Sequence, residues 1–401
     1  MIIRVLTIVL ISLLSGSPGA MTRSFRADAT SDVEYSGIET TNTNAPQRSG
    51  FITVDGPSLK ARLETAIRQS RAASSQAKFW TVYSFDVRPG VAVDYEYQGR
   101  LKNVNVIEGS NVSFDQHIET RNLGIFLLHD PSDNAIARIE VYNLDRQREY
   151  SGYPVYWLGR ANNEESLAYL KALAESNTDR KFAEHCVMAL ALHDDQRVGG
   201  MLKTFVRDSR VEKIRSSAVF WLGQIGGELQ FLSDLVANEQ EAIEVRKQAA
   251  FAIGVGKDKS ALTTLQTLYP VVTNRQVKEQ IIFAASINDN QDEAVTFLIN
   301  QASNERDAHL KKQAIFWLGQ KAGERSLKAL GDTVNSNDEE TEVQKQAVFA
   351  ISQRARDEAV PLLIRIAKTH AKGAVRKQAM FWLGQTGDER AVAFFKEVLA
   401  Q

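Results

Sequence analysis

A ten-residue phrase recurs along the second half of the chain and limits what that half can become. Lys311-Lys312-Gln313-Ala314-Ile315-Phe316-Trp317-Leu318-Gly319-Gln320 returns almost letter for letter as Arg376-Lys377-Gln378-Ala379-Met380-Phe381-Trp382-Leu383-Gly384-Gln385. With the Trp as position zero, the column reads Trp157, Ala189, Trp221, Ala252, Ala284, Trp317, Ala350 and Trp382, at steps of 32, 32, 31, 32, 33, 33 and 32 residues. One position earlier the side chain is always bulky and apolar: Tyr156, Met188, Phe220, Phe251, Phe283, Phe316, Phe349 and Phe381. A period this regular means stacked copies of one supersecondary unit, each burying its apolar face against its neighbours.

Seven helix pairs account for the period. The first helices are predicted near residues 165–175, 196–208, 229–237, 260–268, 293–302, 325–334 and 358–367, and their partners near 181–192, 212–224, 242–254, 275–287, 308–320, 342–353 and 374–385. Gly223, Gly254, Gly319 and Gly384 read as left-handed helix ends. A last helix over 389–399 reads as the C-terminal cap, and Tyr153 to Arg160, in register with the column but interrupted by Gly152 and Pro154, reads as a partial repeat closing the first face.

Ahead of the solenoid, predicted over 151–401, the pattern changes. Residues 57–150 read as a small antiparallel α+β domain: Ser58 caps a helix from Leu59 to about Ser74, and strand-like runs follow at Phe79 to Phe85, Val91 to Tyr97, Val104 to Ile107, Gly124 to Leu128 and Ala135 to Val141. Residues 21–56, rich in Ser, Thr, Asn, Gly and Asp, read as a flexible tether. Residues 1–20 read as a secretory signal, with Arg4, the apolar run Val5 to Leu14 and small residues up to Ala20; ten apolar residues are too few to span a bilayer. The expectation is a periplasmic or secreted protein, or a cytoplasmic one if Met21 is the true start.

The fold class expected is therefore mainly α, a solenoid of seven helix pairs with caps behind a small α+β domain. Second helices of the form Val-Arg-Lys-Gln-Ala-x-Phe-x-Leu-Gly resemble HEAT repeats, and the period near 32 resembles the short HEAT-like class of phycobilisome lyases. The resemblance covers about Tyr153 to Gln401 and implies a binding scaffold, with the second helices lining a concave surface. Deoxyhypusine hydroxylase, which is built from related repeats, holds two irons through His-Glu pairs, whereas no histidine here is followed by glutamate.

Helical geometry sorts the columns into faces. Positions minus seven (Val245, Val277, Leu310, Val343, Val375), minus three (mostly Ala) and plus one (mostly Leu or Ile) form an apolar stripe. Opposite lie minus five (Lys247, Lys312, Lys345, Lys377), minus four (Gln248, Gln280, Gln313, Gln346, Gln378), minus one (Phe316, Phe381 and their equivalents) and plus three (Gln224, Gln320, Gln353, Gln385). Stacking aligns these into a ridge able to hold a protein or peptide partner through aromatic anchors and amide or ammonium donors. The competing reading makes the rings stacking residues, the amides ties between helices and the lysines a solvated edge.

Little else points to chemistry. Forty-eight basic against forty-nine acidic side chains give no excess for gripping phosphates, so no nucleic acid is expected. Six scattered histidines, no Gly-x-Ser-x-Gly and no phosphate-binding glycine loop predict no cofactor, no metal and no catalytic residue; Asp94, Glu96 and Asp115 are the acidic candidates for a site in the N-terminal domain. The single cysteine, Cys186, is expected to be a buried hydrophobe. The expected function is a non-enzymatic exported scaffold; the alternatives are a HEAT-like lyase or metal-dependent enzyme, or a regulatory subunit of an envelope signalling or assembly complex.

Overall fold

A computed structural model describes residues 50–400, apart from 76, 94, 98–99, 103–105, 108–119, 132–134, 147, 177–178 and 338. The predicted signal and residues 21–49 of the predicted tether lie outside the described residues, as do Asp94, Asp115, His117 and the side chain of Glu96. Among the described residues no helix is long and apolar enough to cross a membrane.

The N-terminal part is built on five strands. They are β1 (Ile52–Thr53), β2 (Phe79–Ser84), β7 (Leu123–Asp130), β8 (Ala135–Asn143) and β9 (Val155–Arg160), in the order β1-β9-β2-β7-β8. Two small ribbons lie between β2 and β7: β3 (Val91–Ala92) with β6 (Val106–Ile107), and β4 (Tyr95–Tyr97) with β5 (Arg100–Lys102). Helix α1 (Leu59–Ala73) starts at Ser58, whose Oγ accepts the Ala61 N–H at 3.1 Å, and buries Leu59, Leu63, Ala66 and Ser70.

Three expectations fail here. The sheet is mixed: β2, β7 and β8 are antiparallel, whereas β9 runs parallel to both β1 and β2. The tether ends early, because Ile52 and Thr53 pair with Tyr156 and Trp157 and Val54 is buried. Tyr156 and Trp157 belong to β9 and not to a partial helical repeat. Gly152 and Pro154 bar a helix before them, and Val155 to Leu158 is an apolar run buried on both faces, as a strand inside a covered sheet requires. The run shares its letters with the repeat column by virtue of being apolar and aromatic.

Alternate residues of the sheet face two sides. Phe79, Tyr83, Ile125, Leu127, Ile139, Tyr156 and Leu158 enter the main core; Trp80, Val82, Phe126, Leu128, Val155 and Trp157 form a second cluster with Leu144.

The solenoid has seven pairs: α2 (Asn163–Ser176) with α3 (Arg180–Ala191), α4 (Arg197–Asp208) with α5 (Glu212–Ile225), α6 (Leu229–Ala237) with α7 (Ile243–Val255), α8 (Ala261–Val271) with α9 (Arg275–Ile287), α10 (Gln291–Asn304) with α11 (Ala308–Gly319), α12 (Glu324–Asn335) with α13 (Thr341–Ser352), and α14 (Arg356–Thr369) with α15 (Gly373–Thr386). Helix α16 (Glu389–Leu399) follows. Asp179, Asn274 and Asp307 cap second helices by accepting two backbone N–H groups each, a contribution of about 1 kcal/mol apiece.

Sheet and solenoid share one core, which runs without a break from Val54 to Phe394. Beyond β2 the chain enters the first pair: Asp194 N–H donates to Asp86 O (2.8 Å), Arg88 N–H donates to Leu192 O (3.0 Å), and Val87 bridges His193. Leu59 N–H donates to Glu165 Oε2 at 3.0 Å.

Candidate functional site

The apolar stripe of each second helix is buried as its period requires, with Val245, Val277, Leu310, Val343 and Val375 each at most 2% exposed. The opposite face carries the ridge, and its centre is a ladder of aromatic rings. Where position zero is Ala, the rings at minus one stack directly: Phe220 on Phe251 (6.3 Å), Phe251 on Phe283 (6.1 Å) and Phe316 on Phe349 (6.4 Å), all within 15° of parallel. Where position zero is Trp, the indole is interposed: Phe283 meets Trp317 and Phe349 meets Trp382, each at 5.0 Å. Each of those indoles also touches its own preceding ring, Phe316 or Phe381, at 5.0 Å. The ladder is therefore continuous from Phe220 to Phe381.

The glycines at plus two explain when Ala is required. A Cβ on Gly223 would lie 2.6 Å from Ala252 O, one on Gly254 would lie 2.6 Å from Ala284 O, and one on Gly319 would lie 2.8 Å from Ala350 Cβ. None of the three has positive φ, and only Gly319 ends its helix; they are sites of close approach, and the expectation of left-handed caps is corrected. Left-handed backbone falls later, at Gly226, Gly227, Gly323 and Gly387. Where the next repeat carries Trp, at Trp221, Trp317 and Trp382, the preceding plus-two residue is Ala191, Ser286 and Ser352.

The predicted polar members of the ridge divide into two kinds. Lys247 and Lys345 bond to Glu244 (2.9 Å) and Glu342 (3.0 Å) one turn earlier in their own helices. Lys312 is half-buried and Lys377 exposed, and neither makes an ion pair with a described residue. Gln248, Gln313, Gln346 and Gln378 are half-buried along the ladder. Gln320, Gln353 and Gln385 are exposed at or near the helix ends, Gln320 and Gln353 as the C-cap residues. Phe316 is half-buried, and Phe381 is 56% exposed.

A column that sequence reasoning passed over ties four of the pairs together. At minus six, Arg215 Nε donates to Val206 O (2.6 Å), Arg246 Nε to Val236 O (2.9 Å), Gln344 Nε2 to Val334 O (2.9 Å) and Arg376 Nη1 to His370 O (2.7 Å). These carbonyls end the first helices, where intrahelical donors run out. The signal was present: from Arg215 to Arg376 the column is Arg, Arg, Lys, Lys, Gln, Arg, always a donor. At plus four, Asn288 and Lys321 reach back to carbonyls of the preceding second helix, Gly254 O and Ser286 O, and burial pulls the Lys321 amine down to about 8.

Four of the five described histidines are engaged separately. His129 Nε2 lies 2.8 Å from Thr81 Oγ1 and its ring stacks on Phe79. His309 meets Glu279 at 3.2 Å, and His370 meets Val334 O at 2.9 Å. Ser166 Oγ sits 2.8 Å from His193 Nε2 and 3.1 Å from Tyr83 Oη, a spacing found in nucleophile and base pairs. His193 Nδ1, however, faces the Ala189 carbonyl at 2.9 Å, and Ser166 and His193 are 0% and 2% exposed. That trio is sealed from solvent and ties β2 to the first helix pair. Burial holds both His129 and His193 down at about 4 and pushes the Cys186 thiol up to about 12.

Residues 333–401 match the family model of HEAT repeats. The solenoid is HEAT-like. No curated protein matches the chain. Among solved structures, human deoxyhypusine hydroxylase is similar at 18% identity, with 58% of this chain and 84% of that one covered and a TM-score of 0.27. The phycocyanin lyase complex of CpcE and CpcF from a Nostoc species is similar at 16% identity over 63% and 97% of the two chains, TM-score 0.30. Kap121p bound to Pho4p is similar at 12% identity over 55% and 30%, TM-score 0.37.

Proposed function

We propose that the protein is an exported, non-enzymatic scaffold that holds a protein or peptide partner on the ridge of its HEAT-like second helices. What supports the reading is the unbroken aromatic ladder from Phe220 to Phe381 with half-buried glutamines along it. Amides spaced one per repeat can bond the backbone of a segment lying along the ladder, and the rings supply apolar contact. The signal-like residues 1–20 support export.

The test is crosslinking and pull-down of the mature protein from its own envelope fraction. Wild type is compared with a Lys312→Glu, Gln313→Ala, Lys345→Glu, Lys377→Glu variant shown by circular dichroism to melt normally. A partner lost from the variant is the expected result. A partner retained in full would move binding to the N-terminal sheet and overturn the ridge.

A further inference from the structure

The charges along the ridge are unevenly compensated. The ridge positions include minus eight as well as minus five, because a residue at minus eight lies one turn before the lysine column and on the same face. In α5, α7 and α9 these positions hold Lys213, Glu244, Lys247 and Glu279, two charges of each sign. In α11, α13 and α15 they hold Lys312, Glu342, Lys345 and Lys377, with His309 beside Lys312. Glu342 is bound to Lys345, and Glu279 is bound to His309. His309 and Ala374 stand where a glutamate would neutralise Lys312 and Lys377. Both unneutralised lysines lie in repeats whose position zero is Trp, five residues before Trp317 and Trp382.

Resting on the ridge reading above, we propose that the α11 to α15 part of the ridge receives an extended, acidic peptide segment whose carboxylates meet Lys312 and Lys377. The two lysines occupy equivalent positions two repeats apart. At about 8–10 Å per packed helix, that is roughly 16–20 Å. An extended chain advances about 3.3 Å per residue, so the two carboxylates stand about five or six residues apart. The stretch between them crosses the stacked pair Phe316 and Phe349 and the half-buried Gln313 and Gln346. A basic segment is disfavoured because no ridge carboxylate in these three helices is free of a lysine.

Fluorescein-labelled peptides of about twelve residues, Gly and Ser with a central Leu, provide the probe: two Asp placed six apart, two Asp placed three apart, and two Asn placed six apart. Anisotropy is read at low salt against the full chain, a Lys312→Gln, Lys377→Gln variant and a control off the ridge, Lys328→Gln in the first helix α12. The expected result is binding by the six-spaced Asp peptide at least about three-fold tighter than by the others, as two exposed ion pairs would give. The double variant and 0.5 M salt should abolish that preference, and the control should keep it. Equal binding of Asp and Asn peptides, weakened by Gln346→Ala, would overturn the acidic partner and leave the ridge. No binding by any of the three would count against both.

Discussion

Gly319 and Gly384 occupy the same column under opposite constraints. A side chain on Gly319 would strike Ala350, whereas nothing lies within 4 Å of a Cβ on Gly384. Gly319→Val is therefore expected to destabilise the protein by about 2–3 kcal/mol through overpacking. Gly384→Ala should instead stabilise it by up to about 1 kcal/mol through helix propensity. Urea denaturation of both variants checks this, and shifts of the same sign would refute the contact. Trp317, with Phe283 and Phe316 each 5.0 Å from its ring, should cost about 3 kcal/mol on replacement by Ala. An unchanged melting curve would remove the indole from the fold and leave it to a partner. At this scale the alternation of Trp with Ala is plain in the sequence. The reason, a contact across repeats, cannot be read from one helix's periodicity.

Within single elements more is legible. All seven helix pairs and the last helix can be read, because a 3.6-residue apolar period and a fixed spacing reinforce each other. Val245, Val277, Leu310, Val343 and Val375 show this, returning once per repeat at the same place in α7, α9, α11, α13 and α15. What resists is β9, whose Val-Tyr-Trp-Leu run carries no mark distinguishing a buried strand from a buried helical turn, and β1, which is two residues long. The ridge residues are legible as a face, yet the pairing of Lys247 and Lys345 alone depends on what stands three residues earlier. The minus-six donors escape notice because bonds to carbonyls of another helix leave no trace in the apolar period. Arg246, 3% exposed and bonded to Val236 O, tests their weight. Arg246→Met should cost about 1–3 kcal/mol by leaving that carbonyl unpaired. Hydrogen exchange should quicken at the C-terminal turn of α6, and protection unchanged there would show that the tie is dispensable.

Across the whole molecule, the continuous core joins sheet and solenoid, so the buried histidines at the junction and in the sheet report on both. His129 and His193 are held at about 4, below the ordinary value near 6.5. Between those values the unfolded chain binds more protons than the folded one. Stability is thus full above about pH 6.5 and falls as the pH drops toward 4, by roughly 3 kcal/mol for each histidine. Thermal melts from pH 7 to 4 should show this decline, shallower in His193→Asn; a flat profile would mean that neither ring stays neutral on folding. The pairing of small and large residues between repeats also restricts how the chain can be rearranged, much as dominoes join only where their ends agree. Excising the unit centred on Ala252 would set Gly223 against Ala284, an agreeing join. Excising the unit centred on Ala284 would force Gly254 against Trp317, and excising the one centred on Trp317 would leave Ser286 facing Ala350 across a gap. Gain and loss of repeats in such a chain is therefore confined to a few permitted joins, and its length can change only in steps that keep the ends matched.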